Sequence, residues 1–252
     1  MPTPTNTALT GKTVLITGAA RRVGATIART LHAAGANVLI HYRTSAEAAE
    51  TLARELATLR AGSARTLQAD LLDLNQLAPL IDAALGAFGR LDVLVNNAST
   101  FYPTPIGAVT AHDWDDLMGT NVRAPLFLAQ AAAPALRATG GLIINLIDIH
   151  GSRPLKRFAV YCTAKAALAM LTRSLARELA PEVRVNGIAP GPIMWPEEAP
   201  DPQLKAKIIS RTLLQRQGSP QDVARTALFF AAEAPYITGQ ILAVDGGRSV
   251  GW

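Results

Sequence analysis

A chain of 252 residues that is 49% hydrophobic and 17% charged has the size and apolar content of one globular domain, which excludes a disordered or fibrous protein. Its single cysteine, Cys162, excludes an intrachain disulfide and a cysteine-built metal cluster; the four histidines, His32, His41, His112 and His150, lack metal-ligand spacing and read as surface or satisfied core residues. The formal charge is +5, but Lys and Arg are scattered singly, with no basic block or interleaved aromatics, so anionic small molecules suit it better than nucleic acid.

Residues 1–10 are polar and rich in Pro and Thr, without a signal-peptide core, and no apolar run reaches the roughly 18 to 20 residues of a membrane helix. We expect a flexible N-terminal tail at 1–10, one domain over 11–252, no membrane partner and a cytoplasmic location. Apolar, β-rich runs then predict strands at 13–17, 37–41, 65–69, 91–95, 141–147, 183–187 and 240–244. Between them, helical periodicity covers 23–34, 45–59, 74–88, 114–137 and 161–179. Alternating strands and helices imply right-handed crossovers, hence an α/β fold: a doubly wound Rossmann domain with a parallel sheet covered by helices on both faces. Five prolines over 190–202 predict an irregular loop, and a substrate loop is expected at about 190–212.

The turn Thr17-Gly-Ala-Ala-Arg-Arg-Val-Gly24 joins the first strand to the first helix. Small residues there let the backbone approach a pyrophosphate at the helix N-terminus, where unbonded N–H groups and the dipole favour negative charge. The second strand ends in His41-Tyr-Arg-Thr-Ser45 with no acid at its tip. An acid would bond a ribose 2′-hydroxyl and repel a 2′-phosphate, whereas Arg43 with Thr44 and Ser45 can hold that phosphate, which favours NADP(H); a solvated loop arginine is the plainer reading. Asp70 could accept from the adenine amino group or cap the following helix. Tyr161 and Lys165 lie four apart in a predicted helix and share one face. An ammonium beside a phenol lowers its pKa from about 10 and makes it a proton donor near neutral pH, although an ordinary exposed helix face has the same spacing.

Taken in this order, the turn at 17–24, Asn96-Asn97-Ala98, Asn121, Tyr161 with Lys165, and Pro190-Gly191 resemble the short-chain dehydrogenase/reductase family over essentially the whole chain. The resemblance implies a seven-stranded sheet of order 3-2-1-4-5-6-7 and Tyr161 as proton donor. It also implies that Lys165 binds the nicotinamide ribose and lowers the tyrosine pKa, that Asn121 holds a water near the lysine, and that Pro190-Gly191 supports the nicotinamide. The cofactor cradle so implied is Gly18, Arg21, Arg22, Val23, Gly24, Arg43, Thr44, Ser45, Asp70, Leu71, Asn97, Ala98, Ser99, Tyr161, Lys165, Pro190, Gly191 and Ile193. A homotetramer built through 114–137 and 161–179 is implied as well, with 245–252 a candidate subunit contact.

Three departures narrow the resemblance. Arg22 replaces the middle glycine of the family's turn, Asp148 stands in the region of its catalytic serine, and Ser99-Thr100-Phe101 follows Asn97-Ala98 in place of the common glycine. Together these resemble the family's pteridine reductases, whose turn reads Thr-Gly-Ala-Ala-[Lys/Arg]-Arg-x-Gly. That subgroup implies an Asp148, Tyr161, Lys165 triad, a pterin stacked on Phe101 against the nicotinamide, and contacts from Arg22 and Ser99 to cofactor phosphate and pterin. A flat, electron-poor heterocycle suits an offset-stacked aromatic and hydrogen-bonding partners along its edge. Plainer readings stand beside each: Asp148 could brace the turn after the fifth strand, Phe101 could be a core residue, Arg22 could pair only with phosphate, and Met194 and Trp195 could wall the pterin pocket or merely pack the loop. The expected function is NADPH-dependent reduction of a pterin, dihydropterin or folate, with no metal. The alternatives are a carbonyl reductase of the same family acting on a 3-oxoacyl thioester or other ketone, and a non-catalytic NADPH-binding sensor.

Overall fold

Strands buried on both faces need apolar residues at consecutive positions, not at alternate ones, and the runs 14–16, 38–40, 93–95 and 142–144 supply them. In the computed structural model, which describes residues 7–195 and 201–251, the strands are β1 (Thr13–Ile16), β2 (Asn37–Tyr42), β3 (Ala64–Gln68), β4 (Val93–Asn96), β5 (Leu142–Leu146), β6 (Arg184–Pro190) and β7 (Ile241–Val244). All pair in parallel, in the order 3-2-1-4-5-6-7. The helices are α1 (Arg22–Ala33), α2 (Ala46–Leu59), α3 (Leu77–Phe88), α4 (Ala111–Met118), α5 (Ala124–Thr139), α6 (Ala159–Leu179), α7 (Pro202–Ser210) and α8 (Pro220–Ala232).

Successive strand residues serve opposite cores, as a period of two requires. Val14, Ile16, Val38, Ile40, Val93 and Val95 pack with Ile27 and Leu31 of α1, Leu52 of α2 and Phe230 of α8. Leu15, Leu39, Leu94 and Ile143 face the other way, onto Leu80 and Ile81 of α3, Leu128 and Leu136 of α5, and Leu175 and Leu179 of α6. The chain order of the sheet reverses between β1 and β4, and the loops beyond their carboxyl ends part there into a crevice. Among the described residues, no helix is long and apolar enough to cross a membrane.

Several expected boundaries move. Of the tail at 1–10, residues 1–6 lie outside the described residues, whereas Leu9 is 2% exposed and its N–H donates to Ala34 O at 2.9 Å, so the packed domain already includes it. The helix expected at 114–137 starts earlier, because Thr110 and Asp113 form a reciprocal capping box, and it is interrupted by a π turn at Gly119–Arg123. Hydrophobic periodicity runs through such a one-residue insertion and does not reveal it. The segment 190–212 is not all loop: β6 continues to Pro190, and α7 begins where Asp201 accepts from Gln203 N–H and Pro202 takes the first helical position. Residues 196–200 of that segment lie outside the described residues, as does Trp252 of the expected 245–252 contact. The helix α8 had no counterpart in the periodicity reading, although Ser219-Pro220-Gln221-Asp222 carries its capping box.

Candidate active site

The crevice holds a cleft of about 500 Å³, lined from the turn after β1 to the end of β6. At one end the turn is fixed by hydrogen bonds. Thr17 Oγ1 accepts from the N–H groups of Asn97 and Ala98 at 2.9 and 3.0 Å, and Asn97 Nδ2 donates to the Thr17 and Gly18 carbonyls. Gly18 has φ +60°, and a Cβ there would come within 3.0 Å of the Ala98 backbone; one on Gly24 would come within 2.6 Å of both Asn97 Nδ2 and Gly18 O. Both positions therefore need glycine for the turn to touch the Asn97-Ala98 segment that follows β4. Arg22 takes φ +55° where a glycine would sit without strain, at roughly 1–2 kcal/mol for an L-residue. Its guanidinium donates to Trp195 O at 3.1 Å and so joins the turn to the loop after β6.

Beyond the tips of β2 and β3, Arg43, Asp70 and Leu71 line the cleft; Thr44 and Ser45 follow Arg43 but are not among the lining residues. Asp70 Oδ1 accepts from Leu72 N–H at 3.0 Å, so it braces its own turn, and the short helical turn at Leu74–Gln76 is capped by Asp73 instead. His41, expected to be a surface or satisfied core residue, is buried, satisfied and part of the cleft wall. The signal for it was a polar side chain at the carboxyl end of a strand with no exposed face. Thr100 and Thr120 also line the cleft and carried no sequence signal.

At the other end, Tyr161 and Lys165 share the buried face of α6. Tyr161 Oη donates to Asp148 Oδ2 at 2.8 Å, and Asp148 Oδ1 accepts from His150 N–H, so the carboxylate both braces its turn and bonds the phenol. Lys165, 2% exposed, donates to Leu146 O at 2.9 Å and stands 5.6 Å from the Tyr161 ring centre. The expected acidification of the phenol is reversed here. Burial first, and the Asp148 carboxylate second, push the Tyr161 phenol above its usual value. Burial also lowers the Lys165 ammonium to about 8, opposed in part by Asp148.

Asn121, in the π turn, is fully engaged locally: Oδ1 accepts from Ser99 Oγ at 2.7 Å, and Nδ2 donates to the Thr100 and Leu117 carbonyls. It holds the segment that carries Phe101. That ring is 46% exposed, not core, and lies edge-on to Tyr161 with centres 4.7 Å apart while stacking on Phe158 at 4.5 Å. Of the loop residues, Gly191, Ile193 and Met194 line the cleft, whereas Pro190 and Trp195 do not; Trp195 instead lies under Lys205 at 5.8 Å.

A dinucleotide fits this wall. Arg21, Arg22 and Arg43 line it with positive charge, and the first turn of α1 points N–H groups that lack an intrahelical acceptor. Among the described residues, no cluster of three or more His, Cys, Asp or Glu could hold a metal ion.

The family model described as enoyl-(acyl carrier protein) reductase matches residues 18–249. Pteridine reductase 1 of Leishmania tarentolae is 38% identical over 97% of this chain and 98% of its own. The 3-oxoacyl-(acyl-carrier-protein) reductase FabG of Staphylococcus aureus is 37% identical over 94% of this chain and 97% of its own. A 3beta-hydroxysteroid dehydrogenase 1 of Eggerthella lenta is 35% identical over 96% and 95% respectively. Likeness of this extent, over a sheet of this order with the glycine turn at its switch point, makes the chain a member of the short-chain dehydrogenase/reductase family, oxidoreductases that use nicotinamide cofactors.

Proposed function

We propose that this oxidoreductase is an NADPH-dependent pteridine reductase acting on pterins or dihydropterins, with dihydrofolate a further candidate. The observation that carries the reading is the 2.8 Å bond between Tyr161 Oη and Asp148 Oδ2, with the Phe101 ring set against the same tyrosine. A ketone oxygen gains negative charge as it is reduced, and a neighbouring carboxylate disfavours that charge. An imine-type ring nitrogen is basic enough to take its proton with or before reduction, and the positive charge it then carries is stabilised beside Asp148.

The chemistry that a bound nicotinamide supplies is a hydride for the electron-poor ring carbon. Arg21, Arg22 and Arg43 with the first turn of α1 would bind its anionic portion, and the absence of an acid at the tip of β2 supports the 2′-phosphorylated form. Phe101 orients the heterocycle by offset stacking. Tyr161 Oη delivers the proton to the ring nitrogen. Asp148 Oδ2, which accepts from Tyr161 Oη at 2.8 Å, fixes the phenol's position. Lys165, held by Leu146 O and 5.6 Å from the phenol ring centre, offsets the negative charge left as the proton departs.

The test is NADPH oxidation with dihydrobiopterin, dihydromonapterin and dihydrofolate: turnover of at least one supports the reading, and none by folded, NADPH-binding protein overturns it. The relative at 37% identity named as a 3-oxoacyl reductase supports the ketone reading, for which acetoacetyl thioester is the comparison substrate.

A further inference from the structure

His41 ends the buried part of β2, with its imidazole 2% exposed and its edge in the cleft wall. Nδ1 lies 3.0 Å from Gly18 N, and Nε2 lies 3.1 Å from Ala69 O. A backbone N–H only donates and a carbonyl only accepts, so one state of the ring satisfies both: neutral, with its proton on Nε2. Burial, opposed by the Ala69 carbonyl and by Asp70, lowers the imidazole to about 4 and keeps that state at neutral pH. The backbone of the same residue adds a third tie, because His41 O accepts from Ala19 N–H at 2.9 Å.

Two consecutive amides of the turn after β1 are thus held by one residue of β2, and its ring continues to the end of β3, where Asp70 and Leu71 begin the adenosine wall. The Gly18 N–H is committed to His41, which leaves phosphate to the amides at the start of α1. Gly18 also packs against Ala98, so a turn released from His41 shifts against the segment after β4 as well.

We propose that His41 is a positioning residue of the nucleotide site: the bridge Gly18 to His41 to Ala69 fixes the distance between the phosphate turn and the adenosine wall, and cofactor affinity depends on it. Preorganised walls raise affinity because the nucleotide does not have to order them on binding.

Three variants separate the two ring contacts. His41→Leu fills the volume with neither bond, His41→Asn keeps an acceptor near the Nδ1 position, and His41→Gln keeps a donor near the Nε2 position. Titration with NADPH and, separately, with NADH, followed by calorimetry, is expected to show affinity about tenfold or more weaker in His41→Leu, with His41→Asn recovering most of it and His41→Gln less. The loss is expected in Kd and in KM for the nucleotide, not in kcat at saturating nucleotide. In the cofactor-free wild type, nitrogen NMR is expected to show an unprotonated Nδ1 and a protonated Nε2, with Gly18 N–H protected from exchange. Unchanged affinity for both nucleotides in a folded His41→Leu, a loss confined to kcat, or a proton on Nδ1 would each overturn the proposal. Because binding and tautomer are read without a pterin, failure here is distinct from failure of the pteridine reductase reading.

Discussion

Tyr161 and Asp148 hold one proton between two oxygens 2.8 Å apart, and the neighbouring Lys165 is buried without a carboxylate bonded to it. The lysine has a consequence for stability. Its folded value, about 8, lies below the ordinary 10.5, so between those pH values the unfolded chain binds the proton and the folded chain does not. Stability therefore rises with pH across that window, and the burial cost of about 3 kcal/mol is present below it. Lys165→Met should gain stability over the wild type at pH 7 and lose most of that advantage by pH 10.5. Urea unfolding of both proteins at the two pH values measures it; an advantage that does not change with pH contradicts it. The pairing of Tyr161 with Lys165 was legible because a spacing of four fixes a helix face. The direction of the phenol's shift was not, since it depends on burial and on Asp148, thirteen residues earlier and on another element.

The turn between β1 and α1 was legible as an anion site because its residue types are demanded by close approach: Gly18 and Gly24 touch Ala98 and Asn97, just beyond β4. What His41 and Asn97 do to hold it was not, because both bonds cross between strands adjacent only in the folded sheet. The π turn between α4 and α5 was hidden for a different reason, since an apolar stripe survives one inserted residue, and α7 was obscured by the prolines around it. At the tip of β2, Arg43 is exposed and lines the cleft with no acid beside it. Arg43→Ala should therefore raise KM for NADPH about tenfold or more and leave KM for NADH within about twofold, as expected for loss of a charge-assisted phosphate bond. Steady-state kinetics with the two nucleotides decides it, and an equal effect on both would remove Arg43 from phosphate recognition.

Across the whole molecule, strands alternating with helices made a parallel, doubly covered sheet legible, whereas the order 3-2-1-4-5-6-7 came from the family resemblance, because periodicity carries no information on which strands become neighbours. The same sheet leaves apolar side chains uncovered on its outer helices: Trp114 of α4, Leu126 of α5 and Met170 of α6 are exposed. These are the helices through which a homotetramer is expected, and sedimentation should give four times the 26.6 kDa chain, whereas a monomer at micromolar concentration contradicts that assembly. In the proposed reaction, Asp148 directs Tyr161 toward a ring nitrogen. This role is tested most directly by comparing wild type and Asp148→Ser in NADPH oxidation with a dihydropterin and with an acetoacetyl thioester. The serine variant should lose about a hundredfold or more of kcat/KM on the dihydropterin and keep or gain activity on the ketone; undiminished dihydropterin turnover by the variant would remove Asp148 from that role.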